Sequence, residues 1–176
     1  MVREVEEATF ELKTESDLSN EHVYENKAVR WMVSMNSTLN YFECEIISKG
    51  ESECGIWIGI GPWPGNTLSH ENIVCCQVGN GHVQACGKQA VKLNLLICSE
   101  GDKIGCGIEF DSEHHSKYVD VFFTKNGVQV GNLIKCKKPR IKICPMVGMG
   151  EKGERIRLLR HYYRPSLLSV SKANLS

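Results

Sequence analysis

The 176-residue chain predicts an all-β protein, two antiparallel sheets packed face to face as a sandwich. Its apolar residues recur with a period of two in short runs, where a helix would repeat near 3.6. Gly, Asn, Pro or charged pairs break those runs at the spacing of sandwich turns. Helical periodicity is nearly absent, so strands must supply both layers of the core.

Strands are expected first at Thr9 to Lys13 and Ala28 to Met35. Tyr41 to Ser48 places Phe42, Cys44 and Ile46 on one face and Glu43 and Glu45 on the other, a half-exposed strand whose polar face meets water. Cys54 to Gly61 sets Cys54, Ile56, Ile58 and Ile60 against Gly55, Trp57, Gly59 and Gly61 without a charge, which predicts a central strand covered on both sides. Further runs follow at Ile73 to Val78, His82 to Cys86 and Leu93 to Cys98. In Ile104 to Phe110 the face of Gly105 and Gly107 admits close approach, so something large is expected to pack there. Tyr118 to Val130 contains Asn126-Gly127 between two alternating runs, the signal of a type I′ hairpin with positive φ at both central residues. Ile141 to Val147 and Arg155 to Leu159 read as a last hairpin, with Ile156 and Leu158 inward and Arg155 and Arg157 outward.

One domain over residues 1–160 accounts for the length, with 161–176 a serine-rich, loosely attached tail. Twenty-one basic and 21 acidic residues cancel. No long-range field draws the chain to nucleic acid or an anionic membrane, and any partner is recognised locally. Met1 to Leu12 lacks the basic region and apolar run of a signal peptide, and no stretch reaches the roughly 18 apolar residues that span a bilayer. Nine cysteines, an odd number with Cys75 and Cys76 adjacent, contain no C-x-x-C and no zinc spacing. They read as free thiols serving as small core hydrophobes in a reducing cytosol, with no metal and no cofactor implied.

Two glycine motifs suggest phosphate binding and fail on context. Gly148 to Gly153 spells G-x-G-x-x-G, yet the 23 residues after it leave no room for the helix, strand and acid of a dinucleotide fold. Gly59 to Gly65 carries Pro62 and Pro64, which preclude the required helix N-terminus. His114 and His115 lie in the polar stretch Asp111 to Lys117, and nothing selects a Cys-His nucleophilic pair, so no catalytic residue is assigned. Trp63, held between prolines on the loop Pro62 to Asn72, is either a stiff aromatic anchor for a partner or a lid over the sandwich end. Trp31 and Trp57 lie inside strands and read as core.

Five segments in order resemble the SPRY domain family: Tyr41 to Ile46, Gly55 to Ile60, Gly101 to Ile108, Val121 to Gly127 and Pro145 to Met149. The resemblance runs over residues 41–159. It implies a bent β-sandwich of concanavalin-like jelly-roll form, without cofactor or catalysis. Members are cytosolic and nuclear and bind segments or surfaces of other proteins, often within ubiquitin-ligase adaptors or scaffolds. No adaptor-recruiting box is legible in the tail of this chain. Where many members carry Gly-Tyr-His followed by Asp-Asp-Gly, this chain has Cys75-Cys76-Gln77-Val78 and Gly79-Asn80-Gly81, so contacts made through those residues do not transfer. The loops that hold partners in several relatives correspond here to Pro62, Trp63, Pro64 and Asn66, and to Met149, Gly150 and Glu151. A lectin-like sandwich that stacks glycan on tryptophan is the alternative; it needs a surface Trp flanked by His, Asn, Arg and Glu, a set the alternations do not assemble.

Overall fold

The computed structural model describes residues 8–11, 27–30, 35–37, 40–50, 55–63, 73–85, 91–110, 117–138, 142–150 and 153–162, with the backbone alone at 8–11, 27–30, 63 and 160–162. Twelve strands are present among them: β1 Ala8–Glu11, β2 Lys27–Arg30, β3 Tyr41–Lys49, β4 Trp57–Trp63, β5 Val74–Gln77, β6 His82–Ala85, β7 Val91–Lys92, β8 Lys103–Phe110, β9 Tyr118–Lys125, β10 Val128–Lys137, β11 Lys142–Met149 and β12 Glu154–Tyr162. One sheet has the order β1-β12-β3-β8-β9-β10 and the other β2-β11-β4-β5-β6-β7. β12 runs two residues into the stretch read as tail.

The sheets meet through the inward alternation. Phe42, Cys44 and Ile46 of β3, Ile58 and Ile60 of β4, and Ile104, Cys106 and Ile108 of β8 lie in one buried cluster. Burial of each large aliphatic or aromatic side chain contributes roughly 1.5 to 3 kcal/mol, so this cluster is the main stabilising term of the fold. A smaller cluster of Ile73, Cys75 and Met146, with Trp57 packed on it, lies apart from that core. Trp57 is therefore half-buried against a satellite cluster and is not the core ring that its strand position suggests. Trp31 lies outside the described residues.

The last two strands do not form a hairpin. β11 pairs with β4 and β2, whereas β12 pairs with β3 and β1, so the turn after Met149 carries the chain from one sheet to the other. Val147 and Met149 on one strand and Ile156 and Leu158 on the other are all buried in the common core. Two apolar faces joined by a short turn can meet across a core as well as lie side by side, and alternation alone does not choose between them. Leu93 to Cys98 is also not a strand, because Asn94–Leu96 forms a 3-10 turn. Its period of two survives: Leu96 and Cys98 point inward while Leu95 and Ile97 are exposed.

The expectation that a large group covers Gly105 and Gly107 holds. A Cβ on Gly107 would overlap the Phe122 ring, and one on Gly105 would overlap the Tyr41 hydroxyl. Tyr41 and Phe122 stack with centroids 6.0 Å apart and ring planes 8° apart. This corrects the reading of β3 as open to water on its polar face, since Tyr41, Glu43 and Thr124 are all buried there. The Tyr41 hydroxyl donates to Glu43 Oε1 at 3.1 Å and lies 2.8 Å from Thr124 Oγ1, so polar groups under the rings satisfy one another.

Seven cysteines, Cys44, Cys75, Cys76, Cys98, Cys106, Cys136 and Cys144, are buried thiols. Cys54 and Cys86 lie outside the described residues. Burial disfavours the thiolate, pushing Cys75 up to about 12 and Cys98 up to about 11. The β9–β10 turn is the expected one, with φ of 50° at Asn126 and 82° at Gly127 and with Lys125 opposite Val128. A Cβ on Gly127 would meet nothing within 4 Å. Gly127→Val should therefore destabilise through backbone strain alone, by about 1 to 3 kcal/mol. Chemical denaturation checks this, and an unchanged midpoint would refute it.

Candidate functional site

The antiparallel register gives the sandwich two chemically different ends. At one end lie the C-termini of β4, β6, β8 and β10 and the N-termini of β5, β9 and β11, joined through residues 64–73, 86–90, 111–117 and 138–141. At the other lie the turns at 78–81, 126–127 and 150–153 and the segment 93–102.

The second end is tied together by hydrogen bonds. Asp102 Oδ2 accepts from the Ser99 amide at 2.8 Å and pairs with Lys125 Nζ at 3.0 Å, while Oδ1 accepts from Asn126 Nδ2 at 2.8 Å. Asn126 Oδ1 in turn accepts from the Lys103 amide at 2.8 Å. The Leu93 amide donates to Gly81 and the Cys98 amide to Val78, which ties 93–98 to the neighbouring sheet. Partial burial raises the Asp102 carboxyl, but the Ser99, Asn126 and Lys125 donors outweigh it and bring the group down from 3.8 to about 2.

The site residues expected from sequence do not converge. Trp63 stands opposite Lys142, where β11 begins, whereas Gly148, one residue before Met149, stands opposite Trp57, where β4 begins. At ~3.3 Å per residue, the length of β4 separates the Pro62–Trp63 corner from the Met149–Gly150 turn by about 20 Å. Met149 is 4% exposed and belongs to the core, and the Gly150 amide donates to the buried Glu154 Oε2 at 2.8 Å. Pro64, Asn66 and Glu151 lie outside the described residues.

Pro62 and Trp63 also differ from expectation, since both lie within β4 and not on a loop beyond it. The Ile143 carbonyl accepts from the Met35 amide at 2.8 Å, on the side away from β4. Antiparallel alternation then makes Ile143–Pro62 a non-hydrogen-bonded pair and turns the proline nitrogen toward β5. β5 begins at Val74, opposite Ile60, so among the described residues no strand stands where the missing N–H would have donated. Sequence reading stopped the strand at Gly61 because a proline ordinarily ends one; the free flank that permits it is a long-range feature.

Among the described residues no group of three or more His, Cys, Asp or Glu is placed to hold a metal ion. Trp57, the tryptophan whose side chain is described, packs on Ile73, Cys75 and Met146.

No family model matches the chain. It is 35% identical over 127 residues to SPRY domain-containing protein 3 of Homo sapiens and to that of Pongo abelii, covering 68% of this chain and 27% of each relative. The chain thus spans about a quarter of the length of the curated relatives it matches. Among solved structures it is similar to a human SPRY domain, with TM-score 0.63 and 26% identity over 80% of this chain and 86% of that one. The SPRY domain of human HERC1 shares the fold, with TM-score 0.55 and 16% identity over 76% of this chain and 81% of that one.

Asp102 supplies a pH test of the tied end. A carboxyl lowered in the fold stabilises above its unfolded value of 3.8, and that contribution is lost as pH falls toward about 2. Asp102→Asn should be less stable than the parent at pH 6, and the gap should close as both are taken from about pH 4 to pH 2. Denaturation midpoints across that window decide it; a gap independent of pH would contradict the role given to the carboxylate.

Proposed function

The chain belongs to the SPRY domain family, and from that premise we propose that it is a non-catalytic module binding a partner protein or short peptide segment through the loops at the Trp63 end of the sandwich. The observation that carries the choice of end is the contrast between the two. At the Asp102 end the polar groups are spent on one another, through Ser99, Lys125, Asn126 and Glu154. At the Trp63 end several connections leave the strands together, and loops on a rigid scaffold are where recognition residues are commonly carried. Trp63 emerges there on a strand fixed to β11, so a partner would meet an aromatic whose backbone is already ordered. Pro64 and Asn66 follow it in sequence and complete the proposed surface, while Pro62, which is buried, supports it from within β4. Met149 and Gly150 are left out of it, because the register of β11 sets them at the opposite end, and Glu151 is left out with them as the next residue in sequence. Membership of a larger scaffold or ubiquitin-ligase assembly, and a cytoplasmic or nuclear setting, remain part of the proposal on the family resemblance alone.

Affinity capture from cell lysate followed by calorimetry on the captured partner tests the reading. Trp63→Ala should weaken binding about thirtyfold, the equivalent of about 2 kcal/mol, without lowering the melting temperature. Trp57→Ala should instead reduce stability by less than the roughly 3 to 5 kcal/mol of a fully buried ring, and spare affinity. A melting temperature that falls further for Trp63→Ala than for Trp57→Ala would make Trp63 a lid and remove it from the binding surface.

A further inference from the structure

Positive charge is segregated at one corner of this net-neutral chain. Lys117, Lys135, Lys137, Lys138 and Lys142 are all exposed. Register gathers four of them, since Lys135 and Lys137 lie on β10, Lys137 stands opposite Tyr118 and the Lys138 amide donates to the Lys117 carbonyl at 2.8 Å, while Lys142 opens β11 of the other sheet at the same end. Among the described residues Lys117, Lys135, Lys137 and Lys142 have no ion-pair partner, and Lys138 lies 5.9 Å from the centroid of the Phe110 ring. Asp120 opposite Lys135, and Glu109 opposite Asp120, offset part of the charge.

The same lysines control an open strand edge. β10 is the last strand of its sheet, paired among the described residues with β9 alone. Because the Lys138 amide bonds to Lys117, alternation turns the backbone groups of Cys136 toward β9 and those of Lys135 and Lys137 outward. The beginning of this edge is shielded, since the Leu93 side chain lies against Gly131. Among the described residues no strand covers its end, which carries lysine at both outward-facing backbone positions.

We propose that β10 accepts an extended acidic peptide segment as an added strand, hydrogen-bonded to Lys135 and Lys137. Residues of the incoming strand opposite those two lysines share their face of the sheet and are themselves two apart, so the segment recognised reads acid-x-acid. A second copy of this edge is excluded as the occupant, because lysine would face lysine. Phosphates of a nucleic acid would answer the charge but not the strand-like donors and acceptors, so a peptide fits both features. The proposal shares with the proposed function the supposition of a protein ligand but reads different residues, so its failure leaves the Trp63 test intact.

The probe is a fluorescein-labelled peptide of about ten residues alternating Glu with Thr, titrated into the full chain by anisotropy. Beside it run the same peptide N-methylated at every Glu and a single-stranded oligodeoxythymidine of similar charge. Binding of the first peptide should weaken about tenfold or more on N-methylation, and likewise in Lys135→Glu/Lys137→Glu. On the parent protein, hydrogen exchange should slow at the Lys135 and Lys137 amides when the peptide is added, a readout that stands even if the double variant folds poorly. Equal binding of the N-methylated peptide, oligonucleotide binding as tight as the peptide's, or unchanged exchange at those two amides would each overturn the proposal.

Discussion

Gly105 and Gly107 let the Tyr41 hydroxyl and the Phe122 ring lie directly on the β8 backbone, while Ile104, Cys106 and Ile108 on the opposite face enter the core. A Cβ at Gly107 would take the space of the ring, so β8 is covered this closely on both sides because that position is glycine. Both ends of the sandwich are placed from this strand. Asp102 immediately precedes it and holds the hairpin at Asn126. At its far end Asn40 brackets Ile108, accepting from the Ile108 amide through its own carbonyl and donating to the Ile108 carbonyl from Nδ2 at 3.0 Å.

That placement sets the hydrogen-bonded end apart from the end at which recognition is proposed. Polar groups hydrogen-bonded to one another at the Asp102 end make it a poor surface for a partner, because each would have to give up a bond to form a new one. At the opposite end the strands deliver Trp63 and the lysines of β10 from two different sheets, on backbones already fixed by pairing. A chain with no net charge can still present a charged corner, because folding and not composition decides which charges become neighbours.

Most of the local structure is legible in the residues. Alternation assigns the inward face of β3, β4, β8, β9 and β12 correctly, Asn126-Gly127 specifies its turn, and Gly105 with Gly107 announces a covering ring. What fails is information that alternation does not contain. A strand's faces follow from its own residues, but its neighbours depend on distant register, so β11 and β12 were assignable to one hairpin or to two sheets with equal local justification. The candidate site suffers the same way. Pro62 and Trp63 on one side, and Met149 and Gly150 on the other, are set apart by the antiparallel pairing of β4 with β11, a relation between residues some eighty to ninety positions apart in the chain. Burial of Tyr41 and Glu43 was hidden because a Tyr-x-Glu alternation looks solvent-facing until Phe122 is known to lie beside it.

The packing of Phe122 on Gly107 is tested most directly by a double-mutant cycle with Gly107→Ala and Phe122→Leu, followed by equilibrium denaturation. Gly107→Ala alone should destabilise by about 1 to 3 kcal/mol through overpacking, and a smaller residue at position 122 should relieve much of that loss. The two effects should then fall short of additivity by more than about 0.5 kcal/mol. Strict additivity, or a Gly107→Ala protein as stable as its parent, would contradict the claim that this close approach organises the sandwich.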